Sequence, residues 1–600
     1  MTETVAEILN AYRSGAVKPE DIVARSFARS RAHNDPAIFI TLREEADVIA
    51  DARALAQRAD KALPLYGIPV AVKDNIDVKG LPTTAACPAY LYRPHHDAAC
   101  VARLREAGAL IVGKTNLDQF ATGLVGVRTP YGVGRNLFNP KLVPGGSSTG
   151  SALAVAAGLV PLALGTDTAG SGRVPAGFNN IVGLKPTRGL VSTAGVVPAC
   201  RTLDCVSMLA LTVDDAMAML RVTAASEPGD HFSRPPTVRS VGPLPQGFKV
   251  GVPLKGQLLF FGDRASEAAY EAALARLSGL GAKIVEIDIE PFYATARLLY
   301  EGPWVAERYL TVRDLVASSP ESMHPVTRQV ILAGAHGTAA DAFAALYRLE
   351  ALQRVRDHTF RTIDAMVLPT TPTIYSVEQV LADPIDLNSR LGTYTNFVNL
   401  LDMCGLAVPA AMHPDGTPFG VTLLAPAGED ALLAAIGREF HAATGLPLGA
   451  LNYPQPPPAS PTDTPAENEI PIAVVGAHLS GMPLNGELRA VGARLIERTT
   501  TAPHYRLYAL AGTRPPKPGL LRVKNGAGAA IEIEVWALSE NAFGRFVAAV
   551  PPPLSIGTLE IHDGRSVKGF LVEAEAVAGA SDISSFGGWR SFMAQERATV

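Results

Sequence analysis

Two loops of small residues decide how this chain is read: Gly145-Gly-Ser-Ser-Thr-Gly-Ser151 and Gly165-Thr-Asp-Thr-Ala-Gly-Ser-Gly-Arg-Val-Pro175. Between them, residues 152–158 are small and apolar and predict a short buried helix. Glycine lets backbone approach a ligand closely, and hydroxyls beside it can act as nucleophiles or relay protons. Neither loop is a Walker loop, which needs GxxxxGK and then Ser or Thr. GxGxxG is absent here, and Gly170-Ser171-Gly172 does not fit the GxSxG elbow. No histidine lies in these blocks, so a Ser-His-Asp triad has no support. Residue types alone leave two readings open, a hydroxyl-based catalytic loop and plain turn chemistry.

Upstream, Gly67-Ile-Pro-Val-Ala-Val-Lys-Asp-Asn75 is a short apolar strand running into Lys73. Val5, Ile8, Leu9 and Tyr12 stand at helical spacing, and residues 21–32 repeat that pattern. Residues 99–106 predict a helix ended by Gly108, with a strand at 110–112 after it. Residues 248–252, 283–287 and 365–368 add strands with helices between them. This alternation predicts an α/β layered fold with a parallel or mixed sheet.

A break in composition falls at residues 453–469, YPQPPPASPTDTPAENE, where six prolines leave no helix or strand pattern. It reads as a Pro-rich linker between a domain over 1–452 and a second over 470–600. The second is β-rich: residues 530–536 alternate with period two, and 470–476, 520–524, 558–562 and 570–574 are further strand candidates.

Composition removes several classes. The net charge is −4 with no Lys/Arg stripe, so no nucleic-acid partner is expected. The most apolar run, 151–165, is too short to span a bilayer, and the N-terminus has no signal-peptide pattern. Five scattered cysteines without CxxC or zinc spacing fit a reducing, cytoplasmic setting and no metal site. With 48% hydrophobic residues the chain can bury large cores.

The motifs, taken together, resemble the amidase signature family. GGSSTGS is similar to its GGSSGGS block and GTDTAGSGRVPA to its GTD-x-GGS-x-R-x-P block. Gly183-Leu-Lys-Pro-Thr187 follows, and 67–75 matches the strand that bears the family's lysine. The likeness is strong over about residues 60–210 and weaker over the rest of the first domain. Thr149 and Ala169 replace common glycines, which implies a narrower loop. The resemblance implies an α/β amidase signature fold with a mixed β-sheet core covered by helices. It makes Ser171 the nucleophile, Ser147 the bridging serine behind a cis peptide bond, and Lys73 the base. The backbone of Thr168, Ala169, Gly170 and Ser171 would form the oxyanion hole. Asp167 and Arg173 read as an internal ion pair holding the loop. No metal or organic cofactor is implied.

The chemistry demands such a setting. A serine hydroxyl needs a base, and lysine serves only when neutral. Its reference pKa near 10.4 must fall by roughly three units, at about 4 kcal/mol. Lys73 follows an apolar strand, where desolvation can do this. Without the serine loops, a surface lysine paired with Asp74 would be the simpler reading.

A further block, Leu298-Leu-Tyr-Glu-Gly-Pro-Trp-Val-Ala-Glu-Arg-Tyr309, resembles the allophanate hydrolase subfamily, as does Cys200-Arg-Thr-Leu-Asp-Cys-Val-Ser207. There, Tyr300 and Arg308 would hold the carboxylate of a small anionic amide substrate. Eight residues apart, they could share one helix face. Val474-Val-Gly-Ala-His-Leu-Ser-Gly-Met-Pro-Leu-Asn485 resembles the same subfamily's C-terminal domain, similar to a γ-glutamyl cyclotransferase-like fold. It implies that His478 assists loss of CO2 from N-carboxycarbamate, with Tyr505 and Arg506 as weaker lining candidates; a packing or assembly role is the rival. The subfamily implies functional coupling to urea carboxylase and a homodimer. The alternatives are an amidase for another small acid amide, such as malonamate, and one component of a tRNA-dependent amidotransferase.

Overall fold

Short apolar strands separated by amphipathic helices stack into one large sheet in the first part of the chain, and shorter alternating strands build two small sheets in the second. The computed structural model describes residues 3–599 apart from 59–61, 237, 246, 460–464, 466–468 and 525. Contacts divide the chain into two units, Met1–Val238 with Lys249–Ala459, and Arg239–Phe248 with Ser460–Val600.

In the first unit the strand Pro69–Lys73 lies at the heart of a mixed sheet, between parallel neighbours Leu110–Thr115 and Leu162–Asp167. All three are buried along their length, as unbroken apolar runs in a doubly covered sheet must be. Cys205–Ala210, Val182–Lys185, Met403–Met412, Pro418–Pro426 and Ala365–Pro369 continue the sheet antiparallel. Lys249–Pro253 and Lys283–Ile287 close that end with parallel pairing. Phe39–Leu42 forms the opposite edge, beside Leu110–Thr115.

The helix between the two loops is Thr149–Ala156, buried at every position. It starts three residues before the expected 152 because the first loop already makes its opening turn. The Ala152 amide donates to the Ser148 carbonyl at 3.1 Å, and Thr149 Oγ1 donates to the Gly145 carbonyl at 2.8 Å.

The second unit holds, among its described residues, a five-stranded sheet in the order Arg494–Thr500, Glu532–Ser539, Glu469–Val474, Ser566–Val572 and Leu554–Glu560. A three-stranded sheet joins Pro518–Arg522, Tyr505–Ala509 and Ser581–Asp582. Ile472, Tyr505, Ile533, Trp536 and Phe570 pack within its core. Residues 239–248 belong to this unit although they precede much of the first unit's sequence. Arg498 Nη2 donates to the Leu244 carbonyl at 2.8 Å.

The Pro-rich stretch does not run free over its described part. Tyr453 Oη donates to Glu7 at 2.9 Å and the Ala459 amide to Asp214 at 2.9 Å, both within the first unit. Glu469 already opens a strand. Residues 460–464 and 466–468 of that stretch lie outside the described residues. Among the described residues, no helix is long and apolar enough to cross a membrane.

Candidate active site

Lys73 ends the central strand and its side chain is fully buried. Its Nζ lies 2.7 Å from Ser147 Oγ, 3.0 Å from Ser148 Oγ and 2.8 Å from Thr166 Oγ1. Asp74 is not its partner, because strand alternation sends that carboxylate to Lys114, at 3.1 Å. Among the described residues no carboxylate pairs with Lys73. Burial pulls the amine down to about 7, with Arg308 acting the same way, while Asp118, Asp167 and Asp204 favour the ammonium. A neutral fraction therefore exists at pH 7, which is what a base requires.

Ser147 follows a cis Gly146–Ser147 peptide bond. The two loops clasp each other next to it, the Ser148 amide donating to the Ser171 carbonyl at 3.1 Å. Ser171 Oγ is turned to the Gly123 carbonyl, at 3.5 Å. Among the described residues no hydrogen bond joins the Ser147 and Ser171 hydroxyls, so of the contacts the resemblance implies, Lys73–Ser147 is made and Ser147–Ser171 is not.

Asp167 and Arg173 form a fully buried bidentate pair, both contacts at 2.9 Å. Burial alone would raise the Asp167 carboxyl; Arg173 reverses this and holds it below the usual range. The same carboxylate accepts the Gly170 amide at 2.8 Å and the Gly172 amide at 3.1 Å. That corrects one expectation: the Gly170 N–H is engaged in holding the loop and does not point freely at a ligand. The amides of Thr168, Ala169 and Ser171 make no hydrogen bond among the described residues. Thr168 Oγ1 donates to the buried Asp204 at 2.5 Å, which anchors the loop from the other side.

Tyr300 and Arg308 do not share one helix. Tyr300 lies near the end of Glu290–Glu301 and Arg308 in the first turns of Val305–Ser318. Gly302 and Pro303 break the chain between them, since proline offers no N–H to continue a helix. The corner still brings them together, with the guanidinium 5.9 Å from the Tyr300 ring centre. Arg308 is buried and has no carboxylate partner among the described residues. Its Nη1 donates to Thr122 Oγ1 at 2.9 Å and the Ala121 carbonyl at 3.3 Å, one and two residues before Gly123. Arg308 and Ser171 thus meet on opposite ends of one short loop. Among the described residues the Nε–Nη2 edge makes no bond to a protein oxygen. Burial disfavours the Arg308 charge, Cys200, Tyr300, Asp204 and Glu307 outweigh that, and the planar fork can still take a carboxylate.

In the second unit His478 Nε2 meets Glu487 at 2.9 Å, and the ring stacks on Phe570 with its edge toward Phe546. Burial lowers its pKa, and Glu487 opposes that. Tyr505 is buried, with its hydroxyl on Arg522 and the Glu560 amide. Arg506, one residue on, faces the other way to Ala527 and Asp582, so these two do not line one pocket.

Sequence reading missed Ser148, Thr166, Gly123, Thr122 and Asp118. For Asp118, Thr122 and Gly123 the signal lay in Asn116-Leu-Asp-Gln-Phe-Ala-Thr-Gly123, a glycine-ended block directly after a buried strand, and Ser148 and Thr166 stood inside the two serine loops themselves.

The sequence profile of the amidase family matches residues 21–434, and that of the allophanate hydrolase C-terminal domain matches 470–594. The urea amidolyase of Lachancea kluyveri is 44% identical over 593 residues, covering 96% of this chain and 32% of the relative. The chain thus spans about a third of the urea amidolyases it matches. The crystal structure of Kluyveromyces lactis allophanate hydrolase superimposes with TM-score 0.82 at 41% identity, covering 99% of each chain. A glutamyl-tRNA(Gln) amidotransferase component from Symbiobacterium thermophilum is 36% identical, covering 74% of this chain and 96% of its own length. The serine loops, the buried lysine and these likenesses agree, and the chain belongs to the amidase family, with the C-terminal domain of allophanate hydrolases behind its amidase domain.

Proposed function

We propose that this chain hydrolyses allophanate, with Ser171 as nucleophile, Ser147 as relay and Lys73 as base. The observation that carries this reading is the buried guanidinium of Arg308, without a carboxylate partner among the described residues, beside the Ser171 loop. It suits a small amide that ends in a carboxylate, with Tyr300 packed over the same group.

Neutral Lys73 takes the Ser147 proton as Ser147 takes that of Ser171. Ser171 Oγ bonds to the terminal amide carbon, and the amides of Thr168, Ala169 and Ser171 receive the oxyanion. The C–N bond breaks, the proton returns through Ser147 to the departing nitrogen, and ammonia leaves. Water then attacks the acyl-serine by the reverse proton path and releases N-carboxycarbamate. That product loses CO2, and we place His478, held by Glu487, as the proton carrier that assists. The reading extends to functional coupling with a urea carboxylase that supplies the substrate. The five cysteines, all buried and unpaired, suit a reducing, cytoplasmic setting.

The amidotransferase alternative leaves the second unit unused, since those relatives match 74% of the chain. Ammonia release from allophanate, malonamate, glutamine and urea, measured side by side, tests the proposal. Allophanate should be the best of the four in kcat/KM, and should exceed urea, which has no carboxylate for Arg308, by at least about 100-fold, the worth of two charge-assisted hydrogen bonds. Comparable rates on malonamate or glutamine would overturn it.

A further inference from the structure

Asp118 stands where every part of the site meets, yet the mechanism above gives it no task. Its side chain is fully buried and has no cationic partner among the described residues. Oδ2 accepts the Gly126 amide at 2.9 Å and the Val125 amide at 3.2 Å, and Oδ1 accepts the Arg128 amide at 2.9 Å. These bonds fold residues 122–128 around one carboxylate. That loop carries Thr122, on Arg308, and the Gly123 carbonyl, on Ser171.

The other side of Asp118 touches the relay. Its amide donates to the Ser147 carbonyl at 3.2 Å. Gly146 approaches so closely that a Cβ there would sit 2.1 Å from Asp118 Oδ2. The Gly146 amide in turn donates to the Leu124 carbonyl at 2.9 Å. Asp118 therefore meets the bridging serine through its amide and Gly146 through its carboxylate, while that carboxylate holds the loop that faces the nucleophile and Arg308.

We propose that Asp118 is the positioning residue of this site: it fixes the 122–128 loop against the Gly146–Ser147 peptide, next to the Ser147 hydroxyl that Lys73 contacts. The inference rests on the reading of Lys73 as base. The charged groups acting on Lys73 are Asp118, Asp167 and Asp204, which favour the ammonium, and Arg308, which opposes it. Asp167 is neutralised by Arg173, and Asp204 is occupied by Thr168 and the Ala199 and Cys200 amides. Asp118, like Asp204, is held by neutral donors, and the Arg128 guanidinium and His324 also face its charge.

The test compares kcat/KM for allophanate from pH 5 to 9 in the full chain, with Ser171→Ala as the reference for the mechanism itself. Asp118→Asn should move the acid limb to lower pH by at least about half a unit, because a like-sized neutral group removes one favourable charge from the ammonium. It should also lower the plateau by about tenfold or more, since an amide nitrogen would face backbone N–H groups. Asp118→Glu keeps the charge and displaces it, so the plateau falls while the limb stays. An unmoved limb in Asp118→Asn, or a parental plateau in Asp118→Glu, overturns the inference. If Asp118→Asn does not fold, Asp118→Glu decides by its plateau and limb. Residual turnover near the parental rate in Ser171→Ala would instead overturn the mechanism, whatever Asp118 does.

Discussion

Replacing Arg308 by alanine separates a substrate-reading role from a structural one. The guanidinium engages Thr122 and Ala121 through Nη1 and leaves its Nε–Nη2 edge without a protein oxygen acceptor among the described residues. A carboxylate docked on that edge would take two charge-assisted bonds of about 1.5–3 kcal/mol each. Their loss is roughly 3–6 kcal/mol, or about 10²- to 10⁴-fold in kcat/KM at about 1.36 kcal/mol per tenfold. Stability should respond differently. The variant loses two bonds to protein acceptors, worth about 1 kcal/mol each, but no longer desolvates an unpaired charge. Its unfolding free energy without substrate should therefore stay within about 2 kcal/mol of the parent. Arg308→Lys keeps the charge and loses the fork, so it should fall between, at about 10- to 100-fold. The assay is ammonia release from allophanate and from an uncharged amide, with urea unfolding alongside. Equal losses on both amides, or a loss of about threefold or less on allophanate, would refute the argument that Arg308 reads a carboxylate.

Two other outcomes follow from buried groups. Burial lifts Asp215, which accepts the Val5 amide at 3.1 Å, to about 7 from an unfolded value of 3.8. The folded state thus binds the extra proton, and a penalty grows as pH rises from 3.8 to about 7 and is complete above that. Asp215→Asn keeps the acceptor and should be the more stable chain at pH 8 by about 2–4 kcal/mol, with the gap closing by pH 4; thermal or urea unfolding at both pH values checks this. His478→Gln should make CO2 release lag behind ammonia release in a coupled time course; CO2 keeping pace would assign the His478–Glu487 pair to packing alone.

Much of the first unit was legible because its signals are local. The apolar run 69–72 read as a buried strand, and the serine loops favoured an inward Lys73 over a surface lysine beside Asp74. The two Gly-Ser loops were visible, but Ser147 and Ser171 took their expected roles from the family resemblance, and the structure brings their loops together without a bond between the two hydroxyls among the described residues. What stayed hidden depends on contacts between distant segments. Ser148 and Thr166 complete the lysine's environment only once two loops and a strand converge. Gly170 looked like a free amide donor until folding placed Asp167 beneath it. Arg308 and Tyr300 met as read, but across a Gly-Pro corner and not along one helix, because spacing arithmetic assumes an unbroken helix. Residues 239–248 joined the second unit with no mark in their composition.

The central claim is that an amine buried among hydroxyls, and not a histidine, takes the serine proton. Below its pKa, Lys73 is an ammonium and cannot accept that proton, so activity must fall with acidity. The profile of kcat/KM against pH for the parent enzyme reads this directly. An acid limb centred at about 7, with about tenfold loss per unit below it, is the predicted result. Activity that holds level down to pH 5, or that rises only as pH approaches 10, would contradict it.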